Sequence, residues 1–499
     1  MRGRRFGRPH LKHEGWKMPE RITIVGAGPG GYIGAIRAAQ LGAEVTLSER
    51  EALGGTCLNR GCIPTKSLKA SADAMALAGR LSEFGLVLEG RVRPDMAAIR
   101  NRKDKVVQTL VAGVKKILDS YKVRLVEGSA EVLAPDRVRV EPKNGPPREI
   151  HGDKLILAAG SRPADLPALT TDGSRILNSD HALCLETIPE DILIVGGGVI
   201  GVEFAFIFSQ LGSRVTVVEA LGRVVSLPGV DPDSSRVLER EMKKNKIGLH
   251  LNRTVVRLEP EGENRVRAIL GPSPSLENPT ERDRRETVIN AERILVSIGR
   301  GPATDGLGLD RLGVGTDERG WVTADEHMET NVPGVYAIGD LLGPSKMMLA
   351  HVATAEALVA AENCLGGKRR MNYDAVPSGI FTTPEMADVG LTEPEARSRG
   401  LNVRADIFLF RGLGKPQTLG EIAGQVKIVS EAESGKLLGV HIIGPQATDL
   451  IAEATLALRL GATAADVAET IHVHPSLSET VMEAAHAAIN APLHRPASK

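Results

Sequence analysis

The chain has 499 residues, 62 Lys and Arg against 62 Asp and Glu, 42% hydrophobic and 25% charged, the composition of a globular protein long enough for two to four domains. Zero formal net charge removes the bulk electrostatics that would draw it to nucleic acid or an anionic membrane, and no apolar run approaches the roughly 18 residues of a membrane span. Four cysteines in this length argue against a secreted disulfide scaffold and leave a cytoplasmic location as the expectation.

Residues 1–17 (MRGRRFGRPHLKHEGWK) carry six basic side chains against a single Glu14. They have neither the apolar core of a secretory signal nor the serines of a transit peptide. A disordered tail is expected there, with Met18 a candidate start. Residues 21–50, RITIVGAGPGGYIGAIRAAQLGAEVTLSER, then read as an apolar strand, a glycine turn, a helix and a second strand ending in Glu49. Residues 191–220, DILIVGGGVIGVEFAFIFSQLGSRVTVVEA, repeat the unit, with Gly196, Gly198 and Gly201 matching Gly26, Gly28 and Gly31, and Glu219 matching Glu49.

This is G-x-G-x-x-G between strand and helix with an acid about 20 residues on. The glycines let backbone approach a pyrophosphate at a helix N-terminus, and the acid accepts from a ribose 2′-hydroxyl. One copy is a weak signal; two in the same context are a strong one. Two sites imply two dinucleotides, one bound permanently and one exchanging, for which FAD and a nicotinamide are the obvious pair. A carboxylate at Glu219 repels a 2′-phosphate and favours NAD over NADP, although Arg223, four residues on, could meet a phosphate.

Between the two units comes Gly54-Gly-Thr-Cys57-Leu-Asn-Arg-Gly-Cys62-Ile-Pro64-Thr-Lys66. A disulfide needs Cα atoms within about 7 Å, whereas an extended chain separates residues five apart by roughly 17 Å, so a bonded pair requires the chain to coil between them. Gly61 and Pro64 fit a helix starting at Cys62, which would lower that thiol's pKa. From spacing alone, a packed pair of small hydrophobes or half of a zinc site remains open. The zinc alternative is weak, because Cys184 and Cys364 each stand alone.

Helical spacing follows over 63–83 and 94–119, broken at 85–94, then strand-like segments over 123–160 ending at Gly160. Within the second unit the polar stretch 271–288 reads as a surface excursion. Residues 291–300 (AERILVSIGR, including Gly299) return the chain to a central region that reaches Thr330–Asp340 and Leu349-Ala350-His351. Taken alone, Gly339-Asp340 fits a strand followed by a capped helix. From about Tyr373 strands and helices alternate. Ile471-His-Val-His474-Pro475-Ser-Leu-Ser-Glu479 places an imidazole and a carboxylate at a helix start marked by Pro475; it could be a histidine base oriented by an acid or a mere Ser476-x-x-Glu479 capping box.

Over residues 20 to about 485 the chain resembles the flavin-dependent pyridine nucleotide disulfide oxidoreductases, most specifically in the dithiol segment. The resemblance implies a glutathione-reductase-like α/β fold of two Rossmann-like dinucleotide-binding domains, a central domain and an α+β dimerisation domain: 1–17 tail, 18–161 FAD, 162–290 NAD, 291–371 central, 372–490 interface and 491–499 tail. It implies Cys57 as the thiol that exchanges with substrate, Cys62 as the thiol against the flavin, and Lys66 with Glu203 as an ion pair near the ring. Without it, that pair reads as a surface lysine and a helix glutamate.

The resemblance further implies that Asp340 holds the ribityl chain and that Gly160, Gly339, Ala350, Lys66 and Gly299 belong to the cofactor sites. It makes His474 the acid/base and Glu479 its orienting partner, both serving the other subunit of a homodimer, and gives His472 no catalytic role. The activity implied is oxidation of protein-bound dihydrolipoyl groups with NAD, the partner being the lipoyl domain of an acyltransferase core or a glycine-cleavage carrier protein, with no metal. The mercuric-ion and large thioredoxin-reducing branches need a carboxy-terminal cysteine pair or redox tail, absent after Cys364, and the glutathione branch wants basic residues where Glu219 stands. A noncatalytic flavin-binding subunit is the rival of another class; it could lose the dithiol or His474, and both are present.

Overall fold

Strand Arg21–Val25 is buried at its last four positions, as a parallel strand covered on both faces must be. It sits between Glu44–Glu49 and Lys154–Leu157 in a five-stranded parallel sheet, with Arg124–Glu127 and Val335–Ala337 outside them. This computed structural model describes residues 19–164, 166, 169–262 and 264–496. The expected tail at 1–17 and Met18 lie outside the described residues, as do the last three residues of the 491–499 tail.

The second repeat builds the same sheet from Asp191–Val195, flanked by Arg214–Val218 and Arg293–Val296, with Gly248–His250 and Ile176–Leu177 beyond. Register agrees too: Val25 lies opposite Ser48 and Val195 opposite Val218, which brings Glu49 and Glu219 level with the glycine turns. Each sheet has a three-stranded antiparallel companion, Ser129–Ala134, Arg137–Glu141 and Arg148–His151 in the first unit, and Arg253–Glu261, Arg265–Pro272 and Thr287–Ala291 in the second. The duplication therefore extends well beyond the 30-residue motif. In both copies the third glycine is there for close packing, since a Cβ on Gly31 or Gly201 would stand 1.8 or 1.9 Å from the carbonyl oxygen of Gly26 or Gly196.

After the dithiol, helices Cys62–Ala78 and Met96–Ser120 pack on each other, the second capped by Asp95, which accepts from the Ala98 N–H at 2.9 Å. Helix Val199–Leu211 is apolar nearly all round because it lies between its own sheet and helix Cys62–Ala78, where Phe204, Phe206 and Phe208 are fully buried. That burial carries Glu203 inward as well.

The stretch 271–288 is less irregular than its polarity suggests. A strand runs to Pro272, another starts at Thr287, and a short helix Glu281–Arg284 lies between them. Thr280 and Asp283 form a reciprocal cap, with Thr280 Oγ1 donating to Asp283 Oδ2 at 2.6 Å and accepting from the Asp283 N–H at 3.3 Å. The return at 291–300 is divided: Arg293–Val296 stays in the second sheet, and the chain crosses back at Arg300–Pro302, paired antiparallel with Ser161–Pro163.

Strand Val335–Ala337 completes the first sheet, and helix Ala350–Cys364 packs on helix Pro29–Gln40. The carboxy-terminal unit is a five-stranded antiparallel sheet, ordered Ser378–Ile380, Glu385–Gly390, Leu437–Gly444, Gln425–Glu431, Val403–Leu409. Helices Ala447–Leu460 and Glu479–Ala488 close its core around Phe410, Ile442 and Val481. Among the described residues no helix is long and apolar enough to cross a membrane.

Candidate active site

One cavity of about 2290 Å³ joins the two repeats, well beyond the roughly 300–1,000 Å³ of a pocket for one small ligand. Its wall includes Gly26, Gly28, Glu49, Gly160, Gly339, Asp340 and Ala350 on the first unit's side and Gly196, Gly198, Glu219 and Gly299 on the second's. Gly31 and Gly201 do not line it; they serve the packing described above. A Cβ on Gly198 would meet nothing within 4 Å, and one on Gly28 only the Gly55 Cα at 4.0 Å, so each helix N-terminus opens onto a cradle fit for a phosphate.

Both acids are held in the same way. Glu49 accepts from the Ala27 and Glu51 N–H groups at 2.8 Å each, and Glu219 accepts from the Gly197 N–H at 2.6 Å and the Leu221 N–H at 2.8 Å. Each carboxylate therefore braces its glycine turn while standing on the cavity wall. Arg223 turns away: its guanidinium donates to Val225 O, Val230 O and Ser235 Oγ. The cation that could have met a 2′-phosphate is occupied elsewhere.

Cys57 lies on the short helix Gly55–Arg60 and Cys62 opens the next helix, Cys62–Ala78, so the chain does coil between two free thiols. The Cys57 thiol donates toward Cys62, and that bond, with Lys66 and the helix backbone, outweighs burial and lowers the Cys62 pKa to about 7. The same bond together with burial pushes Cys57 up. Lys66, one turn after Cys62, donates to both Glu203 oxygens at 2.9 and 2.8 Å and stands 4.3 Å from the centroid of the Phe381 ring. Glu203, 4% exposed, also accepts from the Phe381 N–H at 3.0 Å. All three chain units thus meet beside Cys62, and Phe381 is a participant the sequence did not single out.

Asp340 is held by Ser161 Oγ, which donates to Oδ2 at 2.6 Å, while Arg300 Nε donates to the same hydroxyl at 2.6 Å. Behind it, buried Glu356 accepts from the Gly339 N–H at 2.6 Å and the Tyr373 hydroxyl at 2.7 Å, and burial pushes its pKa up to about 7. None of these four residues was anticipated. Ser161 and Arg300 directly follow Gly160 and Gly299, and that adjacency was the available signal. Glu356 could be suspected only as an acid among small apolar helix residues.

His474 does not line this cavity. Its Nδ1 is 2.8 Å from Glu479 Oε1, its side chain is 79% exposed and that of Glu479 only 11%. Although burial raises the Glu479 carboxyl, the Ser476 N–H at 2.7 Å and His474 hold it below the usual range. The helix begins at Glu479, four residues later than Pro475 suggested, because residues 475–478 turn to present that N–H to the carboxylate. Ser476 Oγ pairs with Ser478 Oγ, so the capping box is only half formed. His472 is held by Glu453 and Thr470 O at 2.9 and 2.8 Å. Ile471 and Val473, beside His474, are 96% and 76% exposed. Cys184 is exposed, Cys364 buried, and no group of three His, Cys, Asp or Glu side chains among the described residues could hold a metal.

The family profile described as pyridine nucleotide-disulphide oxidoreductase matches residues 20–357, and that of its dimerisation domain matches residues 376–485. Curated relatives include the dihydrolipoyl dehydrogenases of Chlamydia muridarum, 40% identical over 96% of this chain and 98% of that one, and of Bacillus subtilis, 39% identical over 95% and 98%. The mitochondrial dihydrolipoyl dehydrogenase of Pisum sativum is 38% identical over 95% and 92%. Among solved structures, LpdA from Mycobacterium tuberculosis superposes with TM-score 0.84 at 28% identity over 94% of this chain and 99% of that one. A HOCl-induced flavoprotein disulfide reductase from Escherichia coli gives 0.80 at 26% identity over 93% and 99%.

Proposed function

This chain belongs to the pyridine nucleotide-disulphide oxidoreductase family, and from that premise we propose that it serves protein-bound dihydrolipoyl groups, on the lipoyl domain of a 2-oxo acid acyltransferase core or a glycine-cleavage carrier, in the cytoplasm. It is an FAD-containing enzyme that oxidises a dithiol and reduces NAD. The observation that carries the finer reading is the Cys57–Cys62 pair beside Lys66 and Glu203, at the junction of two nucleotide cradles whose acids are both carboxylates.

In this reading the first unit holds FAD, with Glu49 at the ribose and Asp340 at the ribityl chain, and the second holds NAD, with Glu219 at the ribose. When bound, the flavin supplies a two-electron relay between the dithiol and NAD. His474 takes a proton from one substrate thiol, and the resulting thiolate attacks Cys57 Sγ of the oxidised pair, breaking the Cys57–Cys62 bond and leaving Cys62 as a thiolate. The second substrate thiol attacks the substrate sulfur joined to Cys57 and breaks that bond, and its proton passes to the departing Cys57 sulfur. Substrate leaves as a cyclic disulfide and its two electrons remain on the Cys57–Cys62 pair. Glu479, 2.8 Å from Nδ1, orients the His474 ring, and Lys66, anchored by Glu203, places a positive charge beside Cys62.

The chain carries the family's dimerisation domain and forms a homodimer. The reading adds a shared site, because His474 is exposed, directly follows the exposed Val473 and lies off the cavity that holds its own chain's dithiol. Assay of purified protein with NAD and dihydrolipoamide, beside NADPH and glutathione disulfide, tests the substrate assignment. Turnover only with the second pair would refute it.

Glu219→Ala is expected to weaken NAD by about 1.5–3 kcal/mol, the worth of a hydrogen bond to a charged group, and to narrow the NAD/NADP ratio in kcat/KM. Part of that loss comes from the released Gly197 and Leu221 N–H groups, so Glu219→Gln should retain more NAD affinity than the alanine. An unchanged cofactor ratio in Glu219→Ala would remove Glu219 as the ribose reader.

The dithiol also has a pH signature. Cys62 is lowered from the ordinary thiol value of 9.0 to about 7, so its thiolate persists above that pH and is lost as pH falls through it. Long-wavelength absorbance of the dithionite-titrated, two-electron-reduced protein should accordingly fade on acidification through about pH 7; a midpoint at the ordinary thiol value would contradict the assignment of Cys62.

A further inference from the structure

We propose that Arg300, acting through Ser161, is a positioning residue that sets Asp340 for the flavin, an inference that rests on the FAD reading above. Three separate stretches of chain converge here. Ser161 follows the last strand of the first unit, Arg300 stands where the chain leaves the second, and Asp340 lies in the turn Gly339–Leu342. Ser161 Oγ donates to Asp340 Oδ2 at 2.6 Å; Arg300 Nε donates to that Oγ at 2.6 Å, and Arg300 Nη2 donates to the Ser161 carbonyl at 2.8 Å.

A hydroxyl has one proton to give and two lone pairs to receive with. With the guanidinium on a lone pair, the Ser161 proton goes to the carboxylate, and the bridge is charge-assisted at both ends. Arg300 itself is 3.8 Å from Asp340 Oδ2, too far for a good direct hydrogen bond, so the serine is the link between the two charges. One carboxylate oxygen is thereby committed inside the protein. The other, Oδ1, has no hydrogen bond to the described residues, and Asp340 lines the cavity.

Closing the seam between the units does not need this guanidinium. Backbone pairing of Arg300–Pro302 with Ser161–Pro163 already holds it. The Arg300 side chain is only 15% exposed, and burial lowers its pKa against the pull of Asp340. A charge retained at that desolvation cost, with no salt-bridge partner among the described residues but Asp340, fits a task at Asp340 better than one of packing. Arg300 also sits directly after Gly299 on the wall of the second nucleotide cradle, so the seating of one unit is transmitted to the cofactor acid of the other.

The test is release of FAD from purified holoprotein on dilution, followed by recovery of free-flavin fluorescence, for Arg300→Met, Arg300→Lys, Ser161→Ala, Ser161→Thr and the Arg300→Met/Ser161→Ala double variant. Arg300→Met and Ser161→Ala are each expected to raise the FAD dissociation constant about 10- to 100-fold. Ser161→Thr, which keeps the hydroxyl, should stay near wild type, and Arg300→Lys should fall between wild type and methionine. The double variant should be no worse than the weaker-binding single, because both remove one path.

FAD release like wild type in Ser161→Ala, or fully additive losses in the double variant, would overturn the inference while leaving the FAD assignment standing. Should Arg300→Met fail to fold, the alanine–threonine contrast at position 161 decides. A wild-type protein that holds no FAD would overturn the functional reading and this inference together.

Discussion

Cys57→Ser is expected to retain FAD and to lose dihydrolipoamide turnover by about 10⁴-fold or more, the scale on which removal of a covalent nucleophile acts. Flavin retention follows because the glycine turn, Glu49 and Asp340 are untouched by the change. Turnover fails because no sulfur remains where substrate must attack. Cys62, freed from any disulfide, should stand as a thiolate above about pH 7: the serine hydroxyl can replace the thiol as donor to it, and Lys66 and the helix start remain. The variant should then show long-wavelength absorbance without reductant. Visible spectra and steady-state rates on one preparation check both halves, and a colourless protein or undiminished turnover would contradict the roles given to the two cysteines.

The second large effect is expected at His474, where glutamine should lower kcat/KM by about 10²- to 10⁴-fold, the usual worth of a general base. Its decisive form is a mixture. If His474 serves the dithiol of the partner subunit, each site of a two-fold dimer draws on both chains. Cys57→Ser and His474→Gln subunits, each inactive alone, should regain activity when unfolded together and reassociated at random, since a mixed dimer holds one site with both defects and one with neither. With half the dimers mixed and half of their sites intact, recovery should approach roughly a quarter of wild type. No recovery beside a wild-type refolding control would place base and dithiol in one chain.

Much of the fold and the site was legible in the sequence because the chemistry there is local along the chain. A glycine turn, its helix and its acid fall within about 30 residues, and their spacing follows from the tight turn and from pyrophosphate contact at a helix N-terminus. Both copies adopt the same strand register and the same carboxylate-to-turn hydrogen bonds. Cys57 and Cys62 likewise sit on adjoining short and long helices, as Gly61 and Pro64 indicated. The helix start after His474 was misplaced because a proline such as Pro475 is only a statistical marker of a first turn, whereas the Glu479 carboxylate, bonded to the Ser476 N–H, decides where regular winding begins.

What only the tertiary structure decided are contacts between segments far apart in sequence. Phe381 joins Lys66 and Glu203 from 315 and 178 residues away, and Ser161 links Arg300 to Asp340 across 139 and 179 residues. Arg223 gave no sign in sequence that its guanidinium would turn inward to Val225 O and Ser235 Oγ instead of outward to a ribose phosphate. Periodicity and motif spacing register only neighbours along one element. Which buried charge meets which depends on how the sheets and helices pack and on the need to pair every charge removed from water, and that requirement is met by partners no local pattern names.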